Sequence, residues 1–179
     1  MFLEPELRPN PEEEKLRYLH HENDVNDLGY QKFSSPITSA VLRDFTPSDK
    51  GLDFGAGTGP VIAKLLTDKQ FNISLYDPFF HPEAELLEQR YDYIVCCEVI
   101  EHFYSPSKEF ALLKRLLKPG GKLYCMTDLY HEEVKFKSWY YKNDPTHVFF
   151  YHLQSLEHIK NKFEFSKLSI EGRLITYSC

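Results

Sequence analysis

At 179 residues, with 42% apolar and 15% aromatic side chains, the chain has the length of one domain and enough large rings to fill a core. Its net charge of −6 is uneven: residues 1–30 hold three Lys/Arg against eight Asp/Glu, and residues 31–179 hold eighteen against nineteen. Phosphate backbones call for clustered Lys/Arg, and the absence of such a cluster speaks against a nucleic-acid partner; no apolar run approaches the roughly 20 residues of a membrane helix.

The first eleven residues carry three prolines and are expected to be irregular, followed by a helix from Glu12 to about Leu19 with acids in its first turn. Five glutamates among the first fourteen residues leave neither the basic start nor the apolar segment of a signal peptide. The four cysteines, Cys96, Cys97, Cys125 and Cys179, form no C-x-x-C pair and are read as reduced and buried, in a cytoplasmic protein. The polar stretch from Tyr18 to Gly29-Tyr30 reads as a surface loop. Its adjacent His20 and His21 lack a matching Cys/His pair and are read as solvated, so no metal is expected. Ser35-Pro36 is expected to cap and open a helix through Phe45.

An apolar strand then ends in Leu52-Asp53-Phe54-Gly55-Ala56-Gly57-Thr58-Gly59, and Pro60 with the run Val61 to Leu66 starts a helix. Glycines at a strand-to-helix turn permit positive φ and let a ligand lie on the backbone. Eighteen residues after Gly59, the strand Ile73 to Tyr76 delivers Asp77, a carboxylate placed to accept from ribose hydroxyls. Turn, helix and acid read as a site for an adenosine-containing ligand, the alternative being a tight glycine turn without one. The dinucleotide fingerprint G-x-G-x-x-G/A would put Pro60 where a small residue is needed. The pattern that fits is D-x-G-x-G-x-G, from Asp53 through Gly59.

In that pattern the chain resembles the class I S-adenosylmethionine-dependent methyltransferases, which use S-adenosyl-L-methionine and release S-adenosyl-L-homocysteine. The resemblance implies an α/β fold with a three-layer Rossmann-like sheet, mostly parallel and ending in an antiparallel hairpin. It implies that Gly55, Ala56, Gly57 and Gly59 approach the cofactor, that Asp53 holds its aminocarboxypropyl end, and that Asp77 with Pro78 takes the ribose. N-terminal segments in this family fold over the cofactor, so Tyr18, His21, Asn23 and Tyr30 are lid residues by analogy. Residues 1–34 are accordingly read as an acidic leader and lid, and residues 35–179 as the methyltransferase domain.

Only His81 to Arg90 separates Phe80 from the next strand, too short for both a helix and a third strand. The sheet is therefore expected to lack the usual third strand, and no residue is assigned to the adenine. Tyr91 to Cys97 is a near-continuous apolar run, as in a parallel strand buried on both faces. It ends in Glu98-Val99-Ile100-Glu101-His102-Phe103. This resembles the family's fourth-strand motif, which implies that Glu98, Val99 and His102 lie beside the cofactor; a polar strand-to-helix loop is the alternative. Ser105-Pro106 starts a helix with Phe110, Leu113, Leu116 and Leu117 on one face. Lys118-Pro119-Gly120-Gly121 reads as a turn feeding the strand Lys122 to Met126. Gln154 to Lys162 reads as a helix. Glu164 to Ile170 and Arg173 to Ser178, joined at Glu171-Gly172, read as a hairpin.

Between Tyr130 and Tyr151 lie seven aromatic rings besides the boundary tyrosine at 130, together with the turn-forming run Asn143-Asp144-Pro145-Thr146-His147. Polar groups converging in an aromatic cleft are the usual look of a pocket, and a simple turn is the alternative. His147 is assigned as the base that removes a proton from the acceptor, with Asp144 as its orienting partner and His102 or Glu98 in reserve. The expected function is methyl transfer to a small-molecule O or N acceptor. A non-catalytic S-adenosylmethionine-binding module is the first rival. A NAD-dependent oxidoreductase is the second, disfavoured by Pro60 and the hairpin ending.

Overall fold

The computed structural model describes residues 1–20 and 24–179. A six-stranded sheet is built from β1 (Lys50–Phe54), β2 (Asn72–Tyr76), β3 (Tyr91–Cys97), β4 (Leu117–Met126), β5 (Lys167–Glu171) and β6 (Leu174–Ser178), in the spatial order β2-β1-β3-β4-β6-β5. The four strands β2, β1, β3 and β4 run parallel, and β6 and β5 complete the sheet antiparallel. Gly172, at φ 61°, makes the hairpin turn between β5 and β6. Among the described residues, five α-helices accompany the strands: α1 (Pro11–Leu19), α2 (Leu28–Asp44), α3 (Val61–Thr67), α4 (Pro106–Leu116) and α5 (Leu153–Lys162).

Successive residues of a strand point to opposite faces, and the central strands are apolar on both. Tyr93 and Val95 of β3, with Tyr124 and Met126 of β4, pack against Ile37 and Val41 of α2 and Ile62 and Leu66 of α3. Ile94 and Cys96, with Leu123 and Cys125, pack on the other side against Phe110 and Leu113 of α4 and Leu156 of α5. The result is the expected three-layer α/β arrangement. Residues 77–90 supply a 3-10 turn, Ala84–Glu88, and no strand, so the edge of the sheet at β2 is trimmed as expected.

Two expectations are corrected. Ser35 does not cap a helix: α2 begins earlier, where the Asp27 carboxylate accepts from the Tyr30 N–H at 2.7 Å. Pro36 lies inside that helix, where it offers no N–H to the carbonyl of Lys32. The Ser35 hydroxyl donates to that carbonyl instead, at 2.7 Å, which removes the orphaned acceptor and lets the helix run through the boundary expected between residues 34 and 35. Lys118–Gly121 is likewise not a separate turn but an irregularity within β4, whose partner register jumps from Leu117 to Lys122 while β3 advances from Tyr91 to Tyr93.

The N-terminal residues lie against the segment that follows His147. Leu3 N–H donates to the Val148 carbonyl and Phe150 N–H to the Met1 carbonyl, both at 2.8 Å. No helix among the described residues is long and apolar enough to cross a membrane.

Candidate active site

The chain direction across the sheet reverses between β1 and β3, because β2 lies on one side of β1 and β3 on the other. In an open α/β sheet the crevice outside the strands' C-terminal ends at such a point is where ligands bind. The loop after β1 and the loop after β3 both open there. Gly55 and Gly57 have φ values of 82° and 61°, conformations that residues with a Cβ rarely adopt. A Cβ on Gly55 would also lie 2.5 Å from Val99, so the two loops touch through the missing side chain.

Asp77 fastens this loop to the end of β2. Its Oδ2 accepts from the Gly57 N–H at 3.0 Å, and its Oδ1 accepts from Phe79 and Phe80 at 2.8 and 3.1 Å. The Gly55 and Ala56 N–H groups both donate to the Tyr76 carbonyl. Beside them opens a cavity of about 390 Å³, within the usual range for a small-molecule site. Its walls include Gly55, Asp77, Pro78, Glu98, Val99 and His102, six of the residues assigned to cofactor binding, and α1 closes one side with Glu14 and Tyr18. Tyr18 donates to Glu14 at 2.7 Å and stands edge-on to His102, with ring centroids 5.4 Å apart. Asp53, Ala56 and Gly59 line a second, smaller recess on the other side of the loop, together with Tyr30. Burial pushes the Asp53 carboxyl up to about 7. Of the lid residues assigned by analogy, Tyr18 and Tyr30 thus flank the glycine loop, and His21 and Asn23 lie outside the described residues.

The loop after β3 carries the polar centre of the site. Glu98 has φ 52°, and the Arg173 guanidinium donates to both its carboxylate oxygens at 2.7 Å. Arg173 comes from the β5–β6 hairpin and lies over the rings of Phe33 and Tyr141, 5.1 and 5.6 Å from their centroids. Glu101 is wholly buried. Burial pushes its carboxyl up to about 8, the neighbouring Glu98 adds to the rise, and a hydrogen bond from Tyr141 opposes it. The Tyr141 hydroxyl contacts Glu101 Oε1, Glu98 Oε2 and Thr127 Oγ1, so one phenol bridges the loops after β3 and β4.

The turn 143–147 reaches this centre from above. Thr146 donates its N–H to Asp144 Oδ1 at 3.0 Å, and Asp144 Oδ2 accepts from Arg17 of α1 at 2.7 Å. Asp144 therefore holds the turn to α1, while the ring of His147 is oriented by the carbonyl of Tyr141, which accepts from its Nδ1 at 2.7 Å. The His102 Nδ1 donates in the same way to the Thr146 carbonyl at 2.9 Å. The two imidazoles meet edge to face at 4.9 Å, with His102 on the cavity wall and His147 behind it. Most of the remaining rings in the aromatic segment pack on one another: Trp139, Tyr141 and Phe150 form a small core with Tyr130 and Phe136.

Sequence reasoning missed Arg173, Tyr141 and Thr127 as site residues. Glu101 stood in the quoted E-x-x-E-H run without an assigned role. Arg173 and Thr127 carry no local signal, because each acts on a residue far away in the chain; Tyr141 is one ring of the aromatic segment, but nothing local marks its hydroxyl for Glu98 and Glu101.

The family profile described as "Methyltransferase domain" matches residues 18–170. A ubiquinone biosynthesis O-methyltransferase of Serratia proteamaculans is 30% identical over 77 residues, covering 43% of this chain and 32% of the relative. The chain thus spans about a third of that curated relative's length. Human N-acetylserotonin methyltransferase, solved with S-adenosylmethionine, superposes with a TM-score of 0.60 at 14% identity, over 83% of this chain and 53% of that one. Phosphoethanolamine N-methyltransferase 2 of Haemonchus contortus, solved with phosphomonomethylethanolamine and S-adenosylhomocysteine, gives 0.53 at 20% identity, over 76% and 38%. At these identities the two structures establish a shared fold.

Proposed function

Since the chain belongs to the methyltransferase-domain family, we propose that it binds S-adenosylmethionine on the glycine loop and methylates the oxygen or nitrogen of a small molecule in the cytoplasm. The observation that carries this reading is the cavity between the loops after β1 and β3, walled by Gly55 and Asp77 on one side and by Glu98 and His102 on the other. The residues present fit the cofactor. Gly55 and Gly57 keep the loop free of side chains, and Asp53, Asp77 and Glu98 surround it with carboxylates suited to a ligand carrying an ammonium and a sulfonium charge. When bound, the cofactor supplies a methyl group on a sulfonium; the acceptor's lone pair forms the new bond to carbon as the carbon–sulfur pair returns to sulfur.

The chain's own contribution is to position and to exclude water. Tyr18, Phe79 and Phe103 give the cavity apolar walls. His102, on the cavity wall, meets the acceptor and takes up its proton, His147 packs edge to face behind it, and Asp144 keeps the turn against α1. Whether the acceptor atom is oxygen or nitrogen is a property of the molecule that fits beside His102.

Calorimetric titration with S-adenosylmethionine, S-adenosylhomocysteine and NAD tests the reading. Binding of the first two without NAD is the expected result. Binding of NAD alone would replace it with the oxidoreductase. Binding of S-adenosylmethionine with no turnover across a panel of phenol, alcohol and amine acceptors would replace it with the binding module.

A further inference from the structure

A second cavity, of about 270 Å³, opens between the first turn of α4, the residues that follow the turn 143–147, and one face of α5. We propose that it is a binding site for a small aromatic carboxylate, separate from the cofactor cavity. The inference goes beyond the methyltransferase reading and does not rest on it.

The first argument is the wall. Phe149, Tyr151, Ile159 and Phe163 line the space, so most of it is apolar. The rings are braced by others: Phe149 packs on Tyr151 with centroids 4.8 Å apart, and Phe163 stacks on Phe110 at 6.3 Å. Phe2 extends the apolar rim. It stands opposite Phe149 in an isolated antiparallel bridge, which puts the two side chains on one face, and it is 56% exposed. An exposed ring beside a preformed apolar cavity is the look of a binding site. The volume equals that of about nine molecules of liquid water, room for one or two fused rings.

The second argument is charge. The chain holds 27 Asp/Glu against 21 Lys/Arg, yet among the described residues no acid lines this cavity. Its basic groups are Lys162 and His158, one turn apart on the same face of α5. The cofactor cavity is the reverse: Glu14, Asp77, Glu98 and Glu109 stand in its wall, with no Lys or Arg. An anion is repelled from the one and admitted by the other. The two cavities meet different faces of α4, since Glu109 and Leu112 line the first and Pro106 and Ser107 the second.

The third argument is where the cation stands. Lys162 Nζ donates to Ser107 Oγ at 2.8 Å, a bond that joins α5 to the first turn of α4. The same ammonium lies 5.6 Å from the centroid of the Phe163 ring. It is thus fixed at the edge of the cavity beside the rings. An ammonium carries three N–H donors, so the bond to Ser107 leaves donors for a carboxylate, and the His158 imidazole offers another. The apolar walls take a flat ring by its faces and edges, and the basic edge takes the acid group by charge-assisted hydrogen bonds.

The test uses the full chain and 2-naphthoate as the probe, titrated by calorimetry with and without saturating S-adenosylhomocysteine. One saturable site per chain is expected, tighter for 2-naphthoate than for 2-naphthamide and unchanged by S-adenosylhomocysteine. Lys162→Glu, at an exposed position, replaces one surface attraction by one repulsion. Each is a factor of about two to five, so 2-naphthoate should bind about tenfold more weakly, with S-adenosylhomocysteine binding as in wild type. If that variant fails to fold by circular dichroism, His158→Glu, also exposed, carries the comparison. No saturable binding up to about 5 mM probe overturns the site. Displacement of the probe by S-adenosylhomocysteine overturns it too, since the probe then occupies the cofactor cavity. Equal affinities for the acid and the amide, or an unchanged affinity in the variant, have the same consequence. Probe binding as expected, by protein that does not bind S-adenosylhomocysteine, retains the site and removes the methyltransferase reading.

Discussion

Gly55 joins two loops by having no side chain, and replacing it with alanine gives a perturbation whose parts can be separated. At φ 82° an added Cβ costs about 1–2 kcal/mol of backbone strain. The same Cβ would lie 2.5 Å from one methyl of Val99 and 2.7 Å from the other. Ordinary carbon contacts are about 3.5–4.0 Å, so Val99 must retreat by about 1 Å, an overpacking cost of about 1–3 kcal/mol. Gly55→Ala is therefore expected to lose about 2–5 kcal/mol in urea unfolding and to weaken S-adenosylhomocysteine binding. Val99→Ala removes the colliding methyls and alone costs about 1–2 kcal/mol of apolar burial. In the double variant the two methyl collisions vanish, leaving a tight 3.2 Å approach to the Cβ of residue 99, and the strain at φ 82° stays. The double variant should thus be more stable than the sum of the single effects by about 1–3 kcal/mol, with unchanged denaturant slopes. Additivity within about 0.5 kcal/mol would refute the contact between the two loops as the reason for this glycine.

Tyr141→Phe removes the hydroxyl shared by Glu98, Glu101 and Thr127. It should cost about 1–3 kcal/mol in chemical unfolding, because Glu101 loses a hydrogen bond in a buried place; a loss below about 0.5 kcal/mol would show that the bridge is not formed. Asp44 tests acid stability. Burial alone would raise its carboxyl, but hydrogen bonds from Arg43, Lys122 and Tyr124 hold it well below the usual carboxylate range. A depressed folded-state pKa gives stability that is present above the unfolded value near 3.9 and lost as pH falls through the folded one. The stability gap between wild type and Asp44→Asn should therefore be constant at neutral pH and shrink below about pH 4, with thermal melts as the readout. Asp53 is the opposite case, since burial raises it to about 7. Its ionisation opposes folding, so Asp53→Asn should gain stability relative to wild type as pH rises from about 4 to 7 while losing affinity for S-adenosylmethionine. An affinity equal to wild type would remove Asp53 from the cofactor site.

Much of the fold was legible because it rests on short-range rules. The near-continuous apolar run of β3 required a strand buried on both faces; the glycines before α3 required a turn that takes positive φ; ten residues between Phe80 and Tyr91 left no room for both a helix and another strand. The hairpin was marked by Glu171-Gly172, where only a residue free to take positive φ turns the chain. Local rules failed at Pro36. A proline reads as a helix start by its missing N–H, but the hydroxyl of the preceding serine satisfied the stranded carbonyl and the helix continued.

The polar centre was only half visible. The E-x-x-E-H run at the end of β3 and the turn at residues 143–147 could each be found, because each concentrates reactive side chains within a few residues. What they do together was decided by tertiary structure. Arg173 reaches back to Glu98 from the last hairpin, and Tyr141 ties Glu98 to Glu101. Main-chain carbonyls of Thr146 and Tyr141 set which nitrogen of each histidine carries the proton. Periodicity and turn chemistry describe a residue's neighbours in sequence. The protonation, orientation and pairing of a buried side chain depend on groups that the fold brings from elsewhere, and in a site of low polarisability those groups determine its chemistry.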